Sequence, residues 1–339
     1  MFREFLEKLT RRADLSVEEA SAAMGHIMDG TVGEAVIAAL LMGLTMKGER
    51  PAEIVGFARA MRDRAVPLSK PYPDAIDLCG TGGDHAGTFN ISSVAAIVVA
   101  ACGVRVAKHG NRSVSSQCGS ADVFEALGVR TSVSPATVER LLDEAGVAFL
   151  FAPAFHPSMR RAAPVRQALG LRTAFNLLGP LTNPTRPRRQ IVGVPRPELT
   201  ELVARALQGL GSEWAWVVHG ADGLDEISTN GYTKVSECRG GAVKTFYVHP
   251  TDFGLSQAPT GALCGGDAAV NAQIARAILS GVAGPPRDVV LLNAGAALFV
   301  AGAATTVGDG IARAAAAIDG GRAAATLDRL AALSRGAAS

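Results

Sequence analysis

Three short stretches of this 339-residue chain carry side chains whose types and spacing could do chemistry. The first, Gly80-Thr81-Gly82-Gly83-Asp84, directly follows the apolar run at 75–79. Three glycines in four positions leave backbone N–H groups unshielded and permit positive φ, the geometry of an anion-binding turn. It is not a dinucleotide fingerprint, because the third glycine of that pattern would fall at His85, and no Walker lysine follows. Thr88, Asn90, Ser92 and Ser93 then crowd the start of the next apolar helix. Capping that helix takes one such residue, so four of them at a positive dipole end point to a bound anion.

The second stretch, Lys108 to Asp122, follows a predicted strand at 104–107 and holds Lys108, Arg112 and the serines 113, 115, 116 and 120. Lys108 is one of only six lysines in the chain, and it stands at the carboxyl end of the predicted strand, where open α/β sheets place ligands. The third stretch, His219-Gly220-Ala221-Asp222-Gly223-Leu224-Asp225-Glu226, again follows a predicted strand. Two consecutive carboxylates on a glycine-rich turn suit Mg²⁺, a hard ion that prefers a few carboxylates, waters and phosphate oxygens to a closed protein cage. No Cys/His spacing for zinc occurs, and His156-Pro157 stands alone.

The elements that must position these stretches fall into two kinds. Up to about residue 66 the pattern is helical throughout: a capping box at Ser16–Glu19 opens a helix to Met28, 32–46 is apolar almost all round, and Pro51 starts a further helix. Pro67, Pro71 and Pro73 then make a linker. From 75 onward, short apolar runs alternate with helical periods, with strands predicted at 75–79, 104–107, 147–152, 190–194, 215–220 and 289–292. That alternation predicts an α/β domain with a largely parallel sheet. The Arg- and Pro-rich stretch 157–185 interrupts it, as a return to the helical part would. The apolar run 289–307 is broken by Asn293 and glycines, and reads as a buried strand entering a small-residue helix instead of a membrane span.

Composition narrows the function classes. Lys+Arg 33 against Asp+Glu 31 gives a net charge of +2, too balanced for a chain whose main partner is a polyanion. Five cysteines without a C-x-x-C pair predict a reducing compartment, and the charged N-terminus is no secretory signal, so a cytoplasmic location is expected.

These motifs, with HPSM, PVRQALGLRTAFNLLGPLTNP, HGADGLDE and LLNA in the same order along almost the whole chain, resemble the anthranilate phosphoribosyltransferases. The resemblance implies a small all-helical N-terminal domain (1–66 with about 160–183) that dimerises, hinged to a large α/β domain (74–159 and 184–339) with a mostly parallel sheet. It implies that Gly80, Gly83, Asp84, Thr88, Asn90, Ile91, Ser92, Ser93, the run Lys108, His109, Gly110, Asn111, Arg112, Ser113, Val114, Ser115 and Ser116, and Ser120 bind phosphoribosyl diphosphate. Anthranilate would meet Gly80, His109, Asn111, His156 and Arg166, while Ser92, Asp225 and Glu226 would hold two Mg²⁺ ions.

Lys108, Asp84 and Arg166 are the implied catalytic residues. A guanidinium can pair bidentately with a planar carboxylate, although Arg166 by itself is also one of a run of arginines between 160 and 189. The chain departs from the family at Arg160, where Lys is usual, and at Val270, where an acid is common. A pyrimidine nucleoside phosphorylase of the same fold and a non-catalytic nucleic-acid-binding relative are the alternatives.

Overall fold

The computed structural model describes residues 2–112 and 117–336. The predicted sites Ser113, Val114, Ser115 and Ser116 lie outside the described residues. Helices α1 (Phe2–Thr10), α2 (Val17–Asp29), α3 (Glu34–Lys47) and α4 (Pro51–Asp63) form first. The Ser16 hydroxyl accepts the Glu19 N–H at 3.2 Å and Glu19 accepts the Ser16 N–H at 2.9 Å, which closes the capping box. The buried carboxylate of Glu53 accepts the Leu15 N–H at 3.0 Å and pairs with Lys47 at 3.1 Å, tying three of the helices and their loops together.

The remaining chain alternates strand and helix. In order come β1 (Ile76–Gly80), α5 (Ile91–Ala101), β2 (Val106–Gly110), α6 (Ser120–Ala126), α7 (Pro135–Glu144) and β3 (Val147–Phe151). Short helices α8 (Ala152–Phe155), α9 (Ala163–Leu169) and α10 (Phe175–Leu178) precede β4 (Arg189–Gly193), α11 (Leu199–Gly209) and β5 (Trp214–Gly220). After the hairpin of β6 (Thr233–Arg239) and β7 (Ala242–Val248), the chain ends in α12 (Ala268–Leu279), α13 (Pro285–Val300), α14 (Val307–Asp319) and α15 (Arg322–Arg335).

The strands make one seven-stranded sheet in the order β3-β2-β1-β4-β5-β6-β7. The first five are parallel, and β6 and β7 extend the edge antiparallel. The chain runs outward from β1 to β3 and then returns beside β1 with β4, so the topological switch point lies between β1 and β4. In open α/β sheets the ligand crevice opens there, outside the carboxyl ends.

Side chains alternate between the two faces with period two. Ile76, Leu78, Ile191, Trp216 and Val218 pack in one core with α5 and α13. Val192, Ala215 and Val217 pack in a second core with the N-terminal helices and α11. Ala162, Val165, Phe175, Leu177, Leu178 and Leu181 join this second core, so the 157–185 interruption does pack against the helical part.

Three expectations are corrected. Residues 289–292 are not a strand but the middle of α13: a fully buried run of Val and Leu looks alike in both periods, and Pro285-Pro286 at the first helical turn was the overriding signal. The second strand is Val106–Gly110, two residues later than predicted at its start, so Lys108 lies within it and not beyond its end. The β6–β7 hairpin was not expected. Its Gly240-Gly241 link, with φ of 57° and 77°, is a two-residue turn of the kind that closes antiparallel strands. Among the described residues no helix is long and apolar enough to cross a membrane.

Candidate active site at the switch point

The first cluster forms where three carboxyl-terminal turns meet on the α5 side of the sheet. The turn after β1 is pinned by the Thr81 N–H, which donates to the Gly193 carbonyl at 2.9 Å. The turn after β5 folds back over it: the Gly82 N–H donates to Asp225 Oδ2 at 2.9 Å, and a Cβ on Gly80 would overlap that carboxylate. The next residue, Glu226, accepts the Ser92 N–H from the first turn of α5 at 3.1 Å. Asn293 of α13 holds this acidic turn from behind, accepting the Ile227 N–H at 3.0 Å and donating to the Ile227 carbonyl at 2.8 Å.

Lys108 points to the same side. It is buried, and its Nζ donates to the Leu78 carbonyl at 2.5 Å and to the Ser92 hydroxyl at 3.1 Å. Burial and the neighbouring Asp84 push the Asp225 carboxyl above its usual range; burial and Asp225 do the same to Glu226, which Lys108 partly offsets. Two carboxylates pressed against each other and against backbone N–H groups fit Mg²⁺, which takes one or two carboxylates and leaves its other positions to water and phosphate. Among the described residues no three His, Cys, Asp or Glu form a closed cage.

The second cluster lies on the opposite face, under the segment 179–185. His109, the neighbour of Lys108, points this way, with its Nδ1 2.9 Å from the Gly179 carbonyl. His156 Nε2 is 2.9 Å from the Thr182 carbonyl, and the two rings meet edge to face at 5.4 Å. A carbonyl only accepts, so each of these nitrogens carries the proton. The other nitrogens, His109 Nε2 and His156 Nδ1, are then bare acceptors, and both are buried without a protein partner. Burial lowers both imidazoles, His109 to about 3 and His156 to about 4, which keeps them neutral.

Beneath them Asp77, fully buried on β1, accepts the Asn183 amide at 2.8 Å and the His109 N–H at 3.1 Å. Asn183 also donates to the Ala107 carbonyl at 2.8 Å, and Gln190 donates to Pro180 at 2.8 Å. The segment that carries Gly179 and Thr182 is thereby bolted to three strands.

The other predicted residues are placed as follows. Gly83 has φ of 77°, and Asp84 lies beside it with Oδ1 3.4 Å from the Ala86 N–H. Thr88 bridges to Cys264. Asn90 does not cap α5 with its side chain; it donates to Cys118 at 3.2 Å and accepts from Asn271 at 3.0 Å, joining two loops at the helix start. Ile91 and Ser93 are buried, the Ser93 hydroxyl without a partner.

Gly110 closes on Ser120 and Phe149, and the Asn111 carbonyl accepts the Ser120 hydroxyl at 3.1 Å. Arg112 faces away, paired with Asp122 at 2.8 Å and Glu125 at 2.7 Å on α6. Arg166, on α9, holds its guanidinium over the Phe175 ring at 5.7 Å. Asp77, Asn183, Asn271 and Arg172 were not among the predicted residues. The lone carboxylate inside the apolar strand at 75–79 was the available signal for the first of these.

Two family models match the chain, one over the N-terminal helices and one over the rest, residues 157–185 included. Residues 3–65 match the helical bundle domain, and residues 72–324 the a/b domain, of a glycosyl transferase family. The anthranilate phosphoribosyltransferase of Moorella thermoacetica is 54% identical over 330 residues, 97% of each chain. The crystal structure of the Thermus thermophilus anthranilate phosphoribosyltransferase superposes with a TM-score of 0.92 at 44% identity, covering 98% of this chain and 99% of that one. The Saccharomyces cerevisiae anthranilate phosphoribosyltransferase, in complex with PRPP and Mg, superposes at 0.90 with 28% identity, covering 99% and 98%. The chain belongs to the anthranilate phosphoribosyltransferase family.

Proposed function

We infer that this enzyme transfers the phosphoribosyl group of 5-phosphoribosyl 1-diphosphate to the amine of anthranilate, the second step of tryptophan synthesis from chorismate. The bond from ribose C1 to the diphosphate oxygen breaks, the bond from C1 to nitrogen forms, and the amine gives up one proton. The observation that carries this reading is the meeting of Asp225, Glu226, Ser92 and Lys108 on the Gly80–Gly83 turn, at the switch point where a phosphorylated ligand belongs.

In this reading Asp225 and Glu226, with Ser92, hold Mg²⁺, two ions by the family pattern; when bound, Mg²⁺ offsets the charge gathering on the departing diphosphate. Lys108 adds a fixed positive charge beneath the same groups, and the free N–H groups of the Gly80–Asp84 turn donate to phosphate oxygens. Such preorganised charge is commonly the largest single contribution to catalysis. Thr88, Asn90, Ile91, Ser93 and residues 108–112, with Ser120, line the remaining diphosphate path.

An arylamine is already neutral at pH 7, so the protein's task on that side is alignment. The bare nitrogens of His109 and His156 accept the amine hydrogens, Gly80 and Asn111 border the ring, and Arg166 swings from Phe175 to the carboxylate. Residues 1–66 with 160–183 move as one unit on the α/β unit to bring Arg166 in. An apolar stripe of Ala35, Ala39, Met42 and Met46 along the outer side of α3, with Met46 73% exposed, supports a homodimer formed through the helical unit. Five free cysteines suit a reducing cytoplasm.

Loss of anthranilate fluorescence on mixing the protein with anthranilate, phosphoribosyl diphosphate and Mg²⁺ tests the reaction. Unchanged fluorescence beside an active control enzyme would sink it.

A further inference from the structure

The glycine turn after β1 is covered by side chains from two other segments. Asp225 occupies the space a Cβ on Gly80 would need, and the Arg172 guanidinium occupies the space a Cβ on Gly83 would need. Arg172 comes from the loop between α9 and α10, which is anchored by the Thr173 N–H donating to Asn176 Oδ1 at 2.9 Å. Its Nη2 is buried with no hydrogen-bond partner, and so is the hydroxyl of Thr173 next to it. Leaving a buried donor unmade is costly, most of all for a charged group, so native structures rarely do it without cause.

The nearby charges sharpen the question. Burial and Arg196 oppose the cationic form of Arg172, while Asp225 and Asp84 favour it. The guanidinium therefore stands as the positive counterpart of the very carboxylates proposed to receive a divalent ion. Asp225 accepts the Gly82 N–H, and the Arg172 Nη2 beside it makes no hydrogen bond to it. The spare donor fits a ligand with several anionic oxygens, because a planar guanidinium fork matches phosphate bidentately.

We propose that Arg172 is a substrate-contacting residue: it balances Asp84 and Asp225 while the site holds no divalent ion, and it donates to the diphosphate oxygens of phosphoribosyl diphosphate when ion and substrate bind together. This rests on the assignment of the acidic turn to the metal–diphosphate complex. It gives the chain a second cation on the leaving group, delivered from the 157–185 segment, opposite the buried Lys108.

The test is a calorimetric titration of the full-length protein with phosphoribosyl diphosphate at saturating Mg²⁺, paired with a Mn²⁺ titration by electron paramagnetic resonance without substrate. For R172Q the diphosphate Kd rises about tenfold to a hundredfold, the range for a lost charged hydrogen bond. Its Mn²⁺ affinity stays the same or tightens, because a competing cation has gone. R172K, which keeps charge without the fork, weakens diphosphate binding by a smaller factor, and it carries the test if R172Q fails to fold.

Diphosphate binding equal to the unmodified protein overturns the proposal. So does loss of Mn²⁺ binding in step with the diphosphate, which would make Arg172 a support for the acids alone. If the unmodified protein itself fails to bind phosphoribosyl diphosphate, the underlying assignment of the site falls, and that result is distinguishable from either of these.

Discussion

The two faces of the sheet at the ends of β1 and β2 treat buried carboxylates in opposite ways. On the helical-bundle face, Asp77 takes the Asn183 amide at 2.8 Å and the His109 N–H at 3.1 Å, with the Cys79 thiol at 3.4 Å. Its charge is spent on this chain's own donors, and it works as a rivet. On the α5 face, Asp225 and Glu226 each take a backbone N–H, and burial, with crowding added to it, keeps both carboxyls high. One side sets two neutral imidazoles over a carboxylate paired to the chain's own donors, with each imidazole proton fixed by a carbonyl. The other is left with excess negative charge that an ion can relieve. On the proposed reading, the second arrangement serves a metal–diphosphate complex exchanged at each turnover and the first a flat aromatic amine.

The comparison can be broken most severely at the acidic turn. Glu226→Gln should lower kcat/KM by about two to three orders of magnitude, the range for losing a preorganised charge contact, and move the Mg²⁺ dependence to higher concentration. An unaltered Mg²⁺ titration in steady-state assays would remove Glu226 from the ion site. Arg166→Ala should raise the KM for anthranilate about tenfold to a hundredfold while moving that for the diphosphate substrate far less. Equal changes would show that Arg166 does not reach the carboxylate.

On the bundle face the expected effect is on stability first. Asn183→Ala leaves Asp77 and the Ala107 carbonyl short of a donor and should cost about 2–3 kcal/mol in urea unfolding, with the KM for anthranilate rising more than that for the diphosphate. A variant as stable as the parent would show that the 179–185 segment is held by other contacts.

The smallest expected effect is the response to acid. His109 and His156 are lowered to about 3 and about 4, below the ordinary 6.5, so their neutral forms favour the fold above pH 6.5 and that stability is lost as pH falls. Each ring loses about 1.4 kcal/mol per pH unit below 6.5. Asp77, raised to about 6 by burial, acts in the reverse sense, its contribution fading as pH rises from about 4 to 6. Asp225 and Glu226, raised to about 7 and about 8, act in the same sense as Asp77, so the imidazole is isolated by comparison: from pH 7 to pH 5 the melting temperature of His109→Asn should fall less, or rise more, than that of the parent. Parallel pH profiles for the variant and the parent would mean that the His109 imidazole is not held neutral.

Much of this site was legible in the chain because its working parts are contiguous. GTGGD and HGADGLDE are short turns whose glycines and acids announce themselves, and the capping box at Ser16 is a local motif that forms as read. The failures have physical causes. Residues 289–292 read as a strand because an unbroken apolar run carries no period, and the burial of α13 on nearly every side erases it. The β6–β7 hairpin escaped because its outer strand, AVKTFYV, lies largely exposed at the sheet edge, and its apolar and polar residues do not alternate as those of a half-buried strand do. Arg172 was hidden among neighbouring arginines, since nothing local separates one that reaches the glycine turn from one that faces solvent.

The sequence by itself determined the class of ligand and the class of fold, because backbone-exposing glycines, paired acids and strand–helix alternation act over a few residues. Tertiary structure decided which of those residues meet. Gly82 finds Asp225 across 143 positions only because β5 returns two strands from β1, on the far side of the switch point. Lys108 and His109, adjacent in the chain, part to opposite faces because strand side chains alternate, so one joins the acids and the other the Gly179 carbonyl. Periodicity tells that they must part; only the packing of α5 on one face and of residues 179–185 on the other fixes what each one touches.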